Sequence, residues 1–137
     1  MCIRDSFFIL FFSISLNAIE LTPSPIDASV YFISPNNEES INGKVTVKFG
    51  LKNFGVAPAG IQIQNTGHHH LIIDTDLPPF NMPIPADKNH IHFGKGQTEV
   101  ELELSKGEHT MQLILGDFRH IPHDPPIYSK RIKIFID

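Results

Sequence analysis

The sequence predicts an all-β domain, an antiparallel β-sandwich of the immunoglobulin-like or cupredoxin-like kind. Three observations carry that prediction. Short apolar–polar alternations recur along the chain, each is bounded by Gly, Pro, Asn or Asp turn chemistry, and no stretch after Asn17 has a helical period. There is no βαβ spacing and no internal repeat, so a parallel α/β sheet is not expected.

Residues 7–16 form an apolar run, preceded by Arg4 and followed by Asn17-Ala18. That is the layout of a secretory signal, so residues 1–18 are expected to be a leader cut near Ala18 and the mature protein to be periplasmic or secreted. The run is shorter than the roughly 20 apolar residues a bilayer span needs, and no membrane span is expected after cleavage. Residues 1–6 look like a cloning or sequencing scar. Residues 19–28, with Pro23 and Pro25, read as a linker, and residues 29–137 as one domain.

Within that domain, residues 30–33 make a short strand ended by Ser34-Pro35-Asn36-Asn37. After the Asn42-Gly43 turn, alternation puts Val45, Val47, Phe49 and Leu51 on one face of a strand. Residues 52–66 carry Gly55, Pro58 and Gly60 and read as an irregular loop. Gly67-His68-His69-His70-Leu71-Ile72-Ile73-Asp74 is the next strand. Pro78, Pro79, Pro83 and Pro85 then exclude helix or central strand from residues 75–89, because each lacks a donor and fixes φ. That loop delivers His90-Ile91-His92-Phe93. Residues 99–104 alternate with their glutamates outward, and Ser105-Lys106-Gly107-Glu108 predicts a hairpin to residues 109–115, with Met111, Leu113 and Leu115 inward. A second proline-rich loop, 116–126, carries Asp117, His120, His123 and Asp124. Residues 127–136 read as the closing strand, with Ile132, Ile134 and Ile136 facing in.

Composition narrows the chemistry. The chain has 137 residues, 41% of them hydrophobic, enough to bury a core without metal or disulfide support. Its formal charge is −4 and it has no cluster of Lys and Arg, so nucleic acid is not an expected partner. The single cysteine, Cys2, lies ahead of the apolar run, leaving no intramolecular disulfide and no thiolate metal site. Any metal must be held by His, Asp, Glu, Met or backbone oxygen.

Eight histidines supply that chemistry. In a strand His68 and His70 point one way and His69 the other. Imidazoles at i and i+2 lie about 7 Å apart at Cα, close enough to share one ion. The expected site is a histidine cluster at one end of the sandwich, drawn from His68, His70, His92, His120 and His123, and the ion copper or zinc, which imidazole nitrogen suits. His109 follows a turn and is expected to pin it; Met111 is expected in the core. Two other readings compete. A hydrolase would have to work through Asp74, Asp76, Asp117 or Asp124 and a metal-bound water, since no serine sits in a nucleophile elbow and no Gly-rich phosphate loop is present. A non-enzymatic envelope module would present loops 75–89 and 117–126 to a protein or glycan partner, its histidines only tying loops down.

The string from Gly67 to Pro79 is specific enough to carry a resemblance. With Ile84-Pro85-Ala86-Asp87, residues 92–99, residues 109–117 and His120-Ile121-Pro122-His123-Asp124-Pro125-Pro126, it resembles the exported bacterial family of domain of unknown function 4399. The similarity runs from about Val30 to Ile136. It implies a periplasmic or secreted domain and no particular ligand. Gly67 to His70 and Gly107 to Thr110 are also similar to a Gly-His-x-His strand and a Gly-x-His-Thr hairpin of other exported β-domains, which supports the sandwich.

Overall fold

The computed structural model describes residues 8–15 and 18–137. Among them lie nine strands and no helix: β1 (Ser29–Ser34), β2 (Glu39–Ile41), β3 (Val45–Lys52), β4 (Gly55–Val56), β5 (Thr66–Ile73), β6 (His90–His92), β7 (Glu99–Leu102), β8 (Gly107–Gly116) and β9 (Ile132–Ile136). They form a three-stranded sheet, β1-β3-β7, and a six-stranded sheet, β2-β9-β8-β5-β4, in which β6 also pairs with β5. The larger sheet is mixed, because β2 runs parallel to β9 and β4 parallel to β5. Among the described residues no helix is long and apolar enough to cross a membrane.

The sandwich core is where the alternation of each strand places it. Val45, Val47 and Phe49 of β3 face Leu71 and Ile73 of β5, Met111, Leu113 and Leu115 of β8, and Ile132, Ile134 and Ile136 of β9. The polar residues between the first three, Thr46 and Lys48, are exposed. Burying an aliphatic side chain contributes about 1.5–3 kcal/mol, so this face sets the register of the two sheets.

Three expectations need correction. Residues 99–104 and 109–115 do not form a hairpin: β7 pairs with β3, whereas β8 pairs with β5 and β9. Alternation in 99–102 specifies an amphipathic strand but not its partner, and residues 103–106 carry the chain across to the other sheet. The loop 52–66 contains the short strand β4. The closing strand is shorter than residues 127–136, because Ser129 interrupts it: its Oγ accepts from Leu113 N (2.9 Å), and its carbonyl accepts from the Gln112 side chain (2.7 Å).

The outer face of the larger sheet is roofed. Ile72 and Ile114 pack there against Ile84, Leu77 and Phe80 from the proline-rich loop 75–89. Ile84 N donates to the His120 carbonyl at 2.8 Å and so ties that roof to loop 117–126. The segment 20–24, expected as linker, is docked along the same loop: Asp124 N donates to the Thr22 carbonyl (2.9 Å) and Ser24 N to the Asp124 carbonyl (3.0 Å). Residues 8–15 carry no regular structure, and Phe8, Phe11 and Phe12 are exposed. Residues 1–7, 16 and 17, over which the leader was expected to extend, lie outside the described residues.

Candidate metal site

The strand pairing of β5 builds the site. On its outer face His68 stands opposite Gly116 and His70 opposite Ile114 on β8; across the other edge His70 stands opposite His92 on β6. His120 comes from the loop that follows β8. Side-chain nitrogens of these four histidines all lie within 4.8 Å of one another, a group that can hold a metal ion. The site therefore lies on the outer face of the larger sheet, under the two loops, toward the end where β5 begins and β8 finishes.

The closest approaches are between nitrogens. His68 Nε2 is 3.0 Å from His92 Nε2 and 3.1 Å from His120 Nδ1. A ring nitrogen carries either one proton or one in-plane lone pair. His68 Nε2 therefore cannot make a full hydrogen bond to both neighbours at once. One divalent cation receiving all the lone pairs removes that conflict. Tetrahedral zinc, with Zn–N near 2.0–2.1 Å, separates its donors by about 3.3–3.4 Å, close to the spacing of these two pairs and inside the 4.8 Å span of the four.

Glycines make the room. A Cβ on Gly116 would lie 2.7 Å from Cε1 and 3.2 Å from Nδ1 of His70, and 3.3 Å from the Cα of His120; one on Gly94 would overlap the His92 ring. The His70 and His92 rings thus lie close against bare backbone.

Asp117 shapes the loop that supplies His120. Its carboxylate, almost fully buried, accepts from Arg119 N (2.8 Å), Ile121 N (3.1 Å), Thr22 Oγ1 (2.7 Å) and Arg119 Nη2 (3.1 Å). The turn closes with Asp117 N donating to the Ile121 carbonyl and His120 N to the Asp117 carbonyl. It holds His120 at φ +67°, a left-handed backbone that costs a non-glycine residue roughly 1 kcal/mol and is concentrated at functional sites. Burial alone would raise the Asp117 pKa, but these donors pull it below the usual carboxylate range. The carboxylate is therefore ionised, and it is consumed by the loop.

Burial and the neighbouring rings favour the neutral form of His68, His70 and His92. Burial, then the neighbouring His92 and His120, lower the His68 pKa to about 4. Burial, then His68, His92 and His120, lower that of His70 to about 2. His92 is lowered too, by burial and by His120. Neutral imidazole is the form that binds a metal. Among the described residues Nδ1 of both His68 and His70 is buried with no hydrogen-bond partner.

A family model for a domain of unknown function, DUF4399, matches residues 47–137. The chain belongs to the DUF4399 family. No curated protein and no solved structure matches it. The matched span holds all four clustered histidines, Asp117, and the glycines Gly94 and Gly116.

The remaining histidines of this DUF4399 domain have other surroundings. His123 is buried outside the group of four: its Nε2 donates to the Thr66 carbonyl at 3.2 Å, and its ring meets Phe54 edge-on at 5.0 Å. His69 points into the sandwich core, its ring 4.9 Å from that of Phe49, and neither nitrogen has a hydrogen-bond partner among the described residues. Burial lowers its pKa to about 4. His90 Nδ1 bonds the Asp87 carboxylate at 2.7 Å.

His109 joins Asp74 and Ser105 in an order that resembles a hydrolytic triad. Its Nδ1 is 2.7 Å from Asp74 Oδ2, and its Nε2 is 3.4 Å from Ser105 Oγ. The same Nε2 lies 2.7 Å from the Ser105 carbonyl and must donate its proton there, so it has no lone pair for the hydroxyl. Burial works against the charge, but the Asp74 carboxylate and the Ser105 carbonyl outweigh it and raise the His109 pKa. This imidazolium clamps the crossing into β8, as expected of a residue that pins a turn. The sequence offered no sign of the Thr22–Asp117 partnership, since it spans 95 residues.

Proposed function

We propose that this DUF4399 domain is an exported binding protein for one copper(II) or zinc(II) ion, held by His68, His70, His92 and His120. The observation that carries the reading is His68 Nε2 at 3.0 and 3.1 Å from two other ring nitrogens, an arrangement that one cation satisfies and protons do not. The donor set is four imidazoles, which suits copper and zinc and does not suit the hard cations calcium and magnesium. Loops 75–89 and 117–126, which an envelope-partner module would present outward, supply instead Ile84 and His120 to the roof and wall of this site. Export rests on the apolar run at residues 7–16 behind Arg4 and ahead of Asn17-Ala18.

The test uses tag-free full-length chain. Calorimetric titration with Cu(II) or Zn(II) is expected to give one ion per chain. At 100 times Kd, binding to the folded state alone adds about 2.7 kcal/mol, a rise in Tm of about 10 °C for a domain this size. His68→Ala and His70→Ala should each remove both effects, and His123→Ala should leave the stoichiometry at one. The absence of stoichiometric binding, or full binding by His68→Ala, refutes the reading. Mass spectrometry of the periplasmic fraction is expected to find a chain beginning near residue 19; retention of residues 7–18 there refutes the leader.

A further inference from the structure

The four-histidine group is more open on one side than on the others. Five of its six ring pairs have centroids 4.6–5.1 Å apart, while His70 and His120 are 6.2 Å apart. A cavity of about 140 Å³ lies against that open edge, lined by His70, His92, His120, Ile84 and Ala86. His68 is not among its walls. Ile84 is a buried apolar wall and Ala86 an exposed one, so the cavity reaches solvent past Ala86. Its volume is well under the roughly 300 Å³ at which sites for drug-sized ligands begin.

Charge decides what would enter. Imidazole ligates a metal as the neutral base, so a divalent cation held by four of them keeps its full charge beside the buried His68 and His70, where uncompensated charge is costly. The carboxylate that acts on His68 is that of Asp117, and it is already engaged by Arg119, Thr22 and Ile121 N. No carboxylate belongs to the group of four. An anion from outside can supply the compensating charge. We infer that the cavity between the His70–His120 edge and Ile84–Ala86 admits one small anion as an additional, exogenous ligand of the bound metal. The inference rests on the metal reading and adds to it a ligand class, monovalent anions of a few atoms.

The test is azide titration of the copper(II)-loaded, tag-free chain, followed by the azide-to-copper charge-transfer absorption, with copper per chain counted in the same sample. Wild type is expected to hold one copper and to develop a saturable band. Ala86→Phe and the smaller Ala86→Leu, which fill the cavity from its exposed wall, should keep one copper and weaken azide at least tenfold. Their melting temperatures in EDTA should match wild type. One copper without an azide band overturns this inference and leaves the metal reading standing. Azide affinity unchanged in both variants, or loss of copper by both, also overturns it. Failure of wild type to bind copper removes the metal reading and this inference together.

Discussion

Gly116→Ala is the most discriminating single substitution, because it disturbs the site without replacing a ligand. The backbone of Gly116 is not in the left-handed region, so alanine is conformationally permitted and would by itself add about 0.4–1 kcal/mol through the unfolded chain. The new methyl would sit 2.7 Å from His70 Cε1, where contact distance is about 3.5 Å, so the ring must retreat by about 0.8 Å. The His120 Cα, 3.3 Å away, is held by the Asp117 turn and cannot relieve it. Overpacking of this kind costs about 1–3 kcal/mol, giving an expected net loss near 1–2 kcal/mol, or roughly 4–8 °C in Tm. Metal–ligand distances tolerate only about 0.2 Å, so the displaced His70 should also weaken metal binding about 10–100-fold. Gly67→Ala is the matched control. Its methyl would meet the Gly116 carbonyl at 2.7 Å and His123 Cε1 at 2.8 Å, neither of them in the four-histidine group. It should cost about 2–3 kcal/mol and leave metal affinity within about threefold of wild type. Thermal melts in EDTA and calorimetric metal titrations read the two quantities separately. Equal metal affinity in Gly116→Ala and wild type would refute the claim that His70 is held in place by a bare backbone.

Other substitutions isolate other terms. His69→Leu removes two partnerless nitrogens from the core and should stabilise the domain by about 1–3 kcal/mol at pH 7 in urea melts. The His69 pKa is about 4 when folded against 6.5 unfolded, so the unfolded chain binds the extra proton between those values. Wild type should therefore lose stability as pH falls from 6.5 through 4, by up to about 3 kcal/mol from this residue, and His69→Leu should lose correspondingly less. His109 has the opposite sign. Its folded pKa is raised, so its contribution is full below the unfolded value and fades as pH rises through the folded one; the stability gap between wild type and His109→Gln, of order 1 kcal/mol, should shrink on the alkaline side. Asp117→Asn should loosen the His120 turn, costing about 2–4 kcal/mol and weakening metal binding at least tenfold with every ligand still present. Unchanged metal affinity in Asp117→Asn would detach that carboxylate from the site.

Much of this protein is written locally. Alternation at 45–51 names the core face of β3, and the same period of two sends His68 and His70 to one face of β5 and His69 to the other, because successive side chains in a strand must diverge. Proline density alone marks 75–89 as a loop. What local pattern cannot encode is partnership. The alternating residues 99–102 are equally suited to β8 or β3, and the structure chose β3 by carrying the chain across the sandwich at 103–106. The same limit applies to the site. His70 meets His92 through a β5–β6 register, and both meet His120 through a turn set by a carboxylate whose hydroxyl donor lies 95 residues away. It also separates His120 from His123, three residues apart in the chain, sending one to the group of four and the other to the Thr66 carbonyl. Residue type and spacing determined which side chains could ligate a metal; long-range pairing decided which of them share a point in space.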